Sequence, residues 1–133
     1  MLAPVAALTL AAAALAYGAA SIAPPPDPGP WRQLGPTVTS RPGKVAHFFR
    51  RATEPTALGV VASSSSGKPI RLTWFANCEV DSDEGMTAQQ QATVTAAHRI
   101  VAYPPVSSGA TNCNVSVTIR VAGGRASAAV FTY

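Results

Sequence analysis

With 133 residues the chain has room for one compact domain around one core. Charged residues make up 12% of it and apolar residues 47%, a balance that excludes a disordered, self-repelling polymer. Ten basic residues against six acidic ones give a formal charge of +4, a mild excess that favours anionic partners in general and singles out none.

No charged side chain occurs from Met1 to Ala23, and the run Val5 to Ala16 has the composition of the apolar stretch of a secretory signal. Gly18 and Ala20 precede a small-x-small cut before Ser21, so residues 1–20 read as a signal peptide. A positive leading region is missing, and an N-terminal membrane anchor is the alternative, since about twenty apolar residues can cross a bilayer. Arg32 and Arg41 follow the segment, and the positive-inside rule would then hold the domain in the cytoplasm, which argues against an outward-facing anchor. Either way the segment implies transient membrane contact and a secreted or extracytoplasmic domain. Abundant Ala, Val, Arg and Pro with little Lys suggest a GC-rich bacterial source.

Residues 21–30 form a Pro-rich linker. The prolines from Pro24 to Pro30 forbid helix and sheet pairing and favour an extended spacer of about 20 Å. From residue 31 to 133 the chain reads as short strands between turn signals, which predicts an all-β fold, a single antiparallel β-sandwich. The clearest strand is Ile70 to Val80, with Ile70, Leu72, Trp74, Ala76, Cys78 and Val80 on one face. Cys113 to Val121 repeats the alternation. Weaker strands are expected over Trp31 to Ser40, Val45 to Arg50, Thr56 to Ser63 and Thr93 to Tyr103, with a short helix possible near residues 87–92, where Ala and Gln are good helix formers. Gly123 and Gly124 predict a hairpin that pairs Val121 with Ala126, Ile119 with Ala128 and Val117 with Val130.

Cys78 and Cys113 lie on inward faces at strand ends, and an exported small domain favours their pairing in a disulfide. The chain-entropy model gives roughly 4 kcal/mol for closing a loop of that length. A redox or metal role would need a CxxC or a ligand cluster, and the sequence has neither.

Other motifs are weaker. The serines from Ser63 to Ser66 before Gly67 and Lys68 resemble a phosphate loop only superficially, because Pro69 stands where a hydroxyl residue is needed and a strand follows. Glu79, Asp81, Asp83 and Glu84 offer clustered oxygens for a hard cation, but the spacing is not that of an EF-hand, and a solvated loop is the alternative. Lys44, Arg50 and Arg51 flank Phe48 and Phe49, a composition suited to an anionic partner; export speaks against nucleic acid. His47 and His98 lack a nucleophile elbow, and Asn114 opens a glycosylation triplet that matters only in a eukaryotic secretory route. No cofactor motif is found. Phe75, Phe131 and Tyr133 fall on outward strand positions and form a possible interaction patch, unless loops cover them.

The strand spacing and a buried Trp74 near a disulfide resemble a divergent immunoglobulin-like sandwich over residues 31–133. In that family the tryptophan lies on a strand between the two cysteine strands, whereas Trp74 and Cys78 share one strand here. The resemblance concerns architecture and transfers no functional residue. Export, linker and disulfide point to a non-catalytic binding module, secreted or envelope-associated, whose partner is an unknown protein or an anionic envelope component. A small exported hydrolase and an inhibitor of a secreted enzyme are the alternatives.

Overall fold

The computed structural model describes residues 21–80 and 87–133. The segment read as a signal or anchor, and Asp81, Asp83 and Glu84, lie outside the described residues. Among the described residues no helix is long and apolar enough to cross a membrane.

Period-two alternation yields eight strands: β1 (Arg32–Thr39), β2 (Ala46–Thr53), β3 (Leu58–Ser64), β4 (Ile70–Val80), β5 (Thr87–Ala96), β6 (Arg99–Ala102), β7 (Ala110–Val121) and β8 (Ala126–Thr132). They form two four-stranded antiparallel sheets, which we call A, in the order β1-β8-β3-β6, and B, in the order β2-β7-β4-β5. The expected β-sandwich is therefore observed. Its strand order is that of a jelly roll, so the likeness to immunoglobulin domains stops at two packed sheets.

The chain changes sheet at every connection except that between β4 and β5. This corrects the expected Gly123–Gly124 hairpin. β7 pairs with β2 and β4 in sheet B, while β8 pairs with β1 and β3 in sheet A. Val117, Ile119 and Val121 belong with Ala126, Ala128 and Val130 to one core, contributed from separate sheets. Alternation is identical whether two apolar faces lie side by side or on separate packed sheets, so it could not separate the cases.

The possible helix near residues 87–92 is also corrected: β5 pairs with β4 from Glu79↔Thr87 to Ile70↔Ala96. A long ladder outweighs the modest helix preference of Ala and Gln. The expected strand from Thr93 to Tyr103 is broken at Ala97 and His98, where the chain passes from sheet B to sheet A.

The core is filled by inward residues of both sheets, with Val60, Ile70, Leu72, Val115, Val117, Ile119 and Val130 fully buried and Trp74 nearly so. Cys78 and Cys113 are register partners on the adjacent strands β4 and β7 and form the expected disulfide, with Cα atoms 4.0 Å apart. It links neighbours within sheet B.

The outer faces of the two sheets differ. Sheet A carries a second apolar cluster of Val61, Ala129 and Phe131, and residues 21–31 lie across it, with Ile22 and Trp31 packed on these side chains. Arg99 Nη2 fastens this strap by donating to the carbonyls of Ala23 (3.1 Å) and Pro24 (2.8 Å). Pro25 is buried. Residues 22–31 are thus packed on the domain as a further layer, because the apolar outer stripe of sheet A needs a cover.

Candidate functional site

At one end of the sandwich the strap, the segment after β6 and the last residue of the chain meet. Proline and glycine shape both lips. Pro28 and Gly29 carry the strap over the ring of Tyr133, whose Cε2 lies 2.5 Å from where a Cβ on Gly29 would stand, so any larger residue there would displace the ring. Opposite, Tyr103 is followed by Pro104 and Pro105, which fix an extended backbone. Thr56, Ala57 and Leu58 form the floor, and the Thr56 and Ala57 amides both donate to the Tyr133 carbonyl (2.6 and 3.0 Å).

The cleft between these lips has a volume of about 620 Å³ and brings together Trp31, Tyr103, Tyr133 and Asp27. The Trp31 ring meets Tyr133 edge-on at 4.7 Å between centroids and Tyr103 in a tilted arrangement at 6.3 Å. Trp31 Nε1 donates to the Asp27 carbonyl (2.9 Å), which fixes the indole to its own strap. Partial burial of the phenol and the negative charge of Asp27 hold the Tyr103 pKa above the usual 10.0. Rigid aromatic faces with phenol and carboxylate groups at their edges suit a ligand that offers both apolar faces and hydroxyl groups.

The residues singled out from sequence are distributed differently. Phe131 is 4% exposed and belongs to the cluster beneath the strap, so it is not a free contact residue. Tyr133 is half-buried and lines the cleft. Phe75 lies on the outer face of sheet B, so the three aromatics do not form one patch. Phe75 is separated from Phe131 and Tyr133 because β4 and β8 belong to different sheets.

The basic group divides as well, because neighbours on a strand point to opposite faces. Arg50 turns inward against Phe48, with its guanidinium 4.9 Å from the ring centroid. Its Nε and Nη2 donate to the carbonyls of Leu34 (2.9 Å) and Pro36 (2.7 Å), and Nη1 to that of Phe49 (2.9 Å). Leu34 and Pro36 flank a bulge in β1 at Gly35, so Arg50 ties the edge of sheet A to β2 and is not available to a partner. Arg51 points outward and donates from Nε to Asn114 Oδ1 (3.2 Å), while Lys44 is exposed in the β1–β2 loop. Of the acidic cluster, only Glu79 is described; its Oε2 accepts from Asn112 Nδ2 (3.3 Å).

The outer face of sheet B carries cross-strand rows of polar side chains. One row aligns His47, Thr118, Thr73 and Thr93, with His47 Nδ1 2.8 Å from Thr118 Oγ1 and the Thr73 and Thr93 hydroxyls 3.1 Å apart. The adjacent row places Arg120 directly opposite Arg71. A third row sets Phe49, 55% exposed, and Phe75 on either side of Ser116. Asn77 Oδ1, on the same face, is buried with no hydrogen-bond partner among the described residues.

Sequence reasoning missed the cleft because its aromatics come from distant parts of the chain. Its local signal was an aromatic beside proline in each lip, Pro30–Trp31 and Tyr103–Pro104–Pro105.

No protein-family model matches the chain, and no curated protein matches it. Among solved structures it is similar to the Clostridium thermocellum N-terminal endo-1,4-beta-D-xylanase 10B, CBM22-1 and GH10 modules complexed with xylohexaose, at 13% identity and a TM-score of 0.42. The match covers 77% of this chain and 26% of that one, so this chain spans about a quarter of the length of that structure.

Proposed function

We propose that the chain is a non-catalytic, extracytoplasmic binding module that takes a carbohydrate in the cleft of Trp31, Tyr103, Tyr133 and Asp27. The convergence of both phenols and the indole on one open cleft carries this reading. Sugars present C–H faces that pack on aromatic rings and hydroxyls that bond to phenols and carboxylates, and this cleft offers both. The Cys78–Cys113 disulfide suits an oxidising compartment. Glycoside hydrolysis works through a pair of carboxylates, and Asp27 is the single carboxylate side chain among the described residues that line the cleft. That lining favours binding over hydrolysis there.

Tryptophan fluorescence tests the proposal, because Trp74 is buried in the core and Trp31 lies at the cleft. Titration with xylohexaose, cellohexaose, chitohexaose and hexagalacturonate is expected to give a saturable emission change with at least one of them. Tyr103→Ala, at a residue 41% exposed, should weaken that binding about tenfold or more without unfolding the domain. Silence with all four sugars, or binding indifferent to Tyr103→Ala, would overturn the reading.

A further inference from the structure

Arg71 and Arg120 face each other across the β4–β7 ladder as register partners on the outer face of sheet B. Like charges directly opposite on a sheet oppose folding, and neither guanidinium has a hydrogen-bond or ion-pair partner among the described residues. Glu79, the acidic residue on this face of β4, lies eight positions along the strand, about 27 Å at strand rise, and is bonded to Asn112. Nothing acidic among the described residues offsets the pair.

The two arginines also line a concavity. With Thr73 and Thr118 they line an open hollow of about 150 Å³, so two cations and two hydroxyls border one space. Each hydroxyl is engaged from its outer side along the row, Thr118 by His47 Nδ1 and Thr73 by the Thr93 hydroxyl. A pair of guanidiniums with adjoining hydroxyls has the charge and donor geometry for a tetrahedral oxyanion, which arginine binds through paired N–H groups. While the strap covers the outer face of sheet A, this hollow opens to solvent.

We propose that Arg71, Arg120, Thr73 and Thr118 form a site for a phosphate group, separate from the aromatic cleft and independent of what that cleft binds. The ligand phosphate neutralises the opposed arginines, so the face is complete only when occupied.

The test combines stability with binding. Backbone amide shifts of the full chain are followed on addition of inorganic phosphate, glycerol 3-phosphate and, as a carboxylate control, galacturonate. Flotation with phosphatidylglycerol vesicles, against phosphatidylcholine vesicles, then distinguishes a lipid headgroup from a soluble source. Phosphate should move the amides of residues 71, 73, 118 and 120. Arg71→Gln and Arg120→Gln should each weaken the response about tenfold, while Arg125→Gln, in the β7–β8 loop, leaves it intact. Arginine-dependent binding to phosphatidylglycerol vesicles alone would equally support the site and assign the phosphate to a membrane lipid.

Each glutamine variant should hold or raise Tm, since it removes a like-charge contact. The proposal is overturned if galacturonate binds as well as phosphate, if Arg125→Gln costs as much as Arg71→Gln, or if no phosphate probe or vesicle binds. It is equally overturned if Arg71→Gln and Arg120→Gln lower Tm by several degrees, which would make the pair structural.

Discussion

Pro25 occupies the space that a side chain on residue 59 would need: its Cγ lies 2.6 Å from where a Cβ on Gly59 would stand, and the Trp31 ring is 3.5 Å from the same point. Glycine at this position of β3 therefore lets the strap seat on sheet A. Gly59→Ala should push the strap outward and cost about 1–3 kcal/mol, as overpacking does. Urea unfolding measures the loss, and faster amide exchange at residues 22–31 than in the parent would localise it.

Phe131 gives the complementary test. Truncation to alanine leaves a void beneath the strap next to Val61 and Ala129, and should cost about 3–5 kcal/mol. A stable Phe131→Ala domain, with unchanged unfolding midpoint, would mean that the strap does not bury this side chain.

Arg50 and Arg51 are neighbours in sequence with different expected costs. Arg50→Ala removes three donors to backbone carbonyls and leaves the β1 bulge without its tie, an expected loss of about 1.5–3 kcal/mol. Arg51→Ala removes one long contact at an exposed position and should cost about 0.5 kcal/mol or less. Parallel denaturation curves of the two variants decide the order.

The Cys78–Cys113 pair closes a sequence separation of 35. Replacing both cysteines with alanine should lower stability by roughly 4 kcal/mol on the chain-entropy model. The β4–β7 ladder runs well beyond the bridge, so the far-ultraviolet signal of the folded state should persist at low temperature. Native mass spectrometry should show a two-dalton gain on reduction.

Tyr103 supplies a pH signature. Partial burial and Asp27 favour its neutral form, so the folded-state pKa lies above the ordinary 10.0. The associated stability is present below that ordinary value and is lost as pH rises through the folded-state pKa. Absorbance titration at tyrosinate wavelengths, as parent minus Tyr103→Phe, should show a midpoint above 10.0 that Asp27→Asn lowers.

The sequence reading was strongest where alternation was long and unbroken. β4 runs over Ile70–Val80, as its pattern predicts, and Trp74, Cys78 and Cys113 are buried as inward residues should be. Period two specifies a face and says nothing about which sheet a strand joins, which is why the step through Gly123 and Gly124 read as a hairpin. Phe131 lies on the outer face of sheet A, but its cover comes from residues 22–31, about a hundred positions earlier, in a segment whose prolines speak only of extension. The two opposed arginines were invisible for a related reason: their meeting depends on the register of β4 against β7.

The position of β8 also governs when the molecule can assemble. β8 lies between β1 and β3, and its partners include residues as far back as Arg32, paired with Thr132. Sheet A therefore has no continuous core until residues 126–132 are in place, and β1 has no partner in its sheet before then. Such long-range closure makes folding slow, because joining residues about a hundred positions apart costs chain entropy before sheet A can repay it.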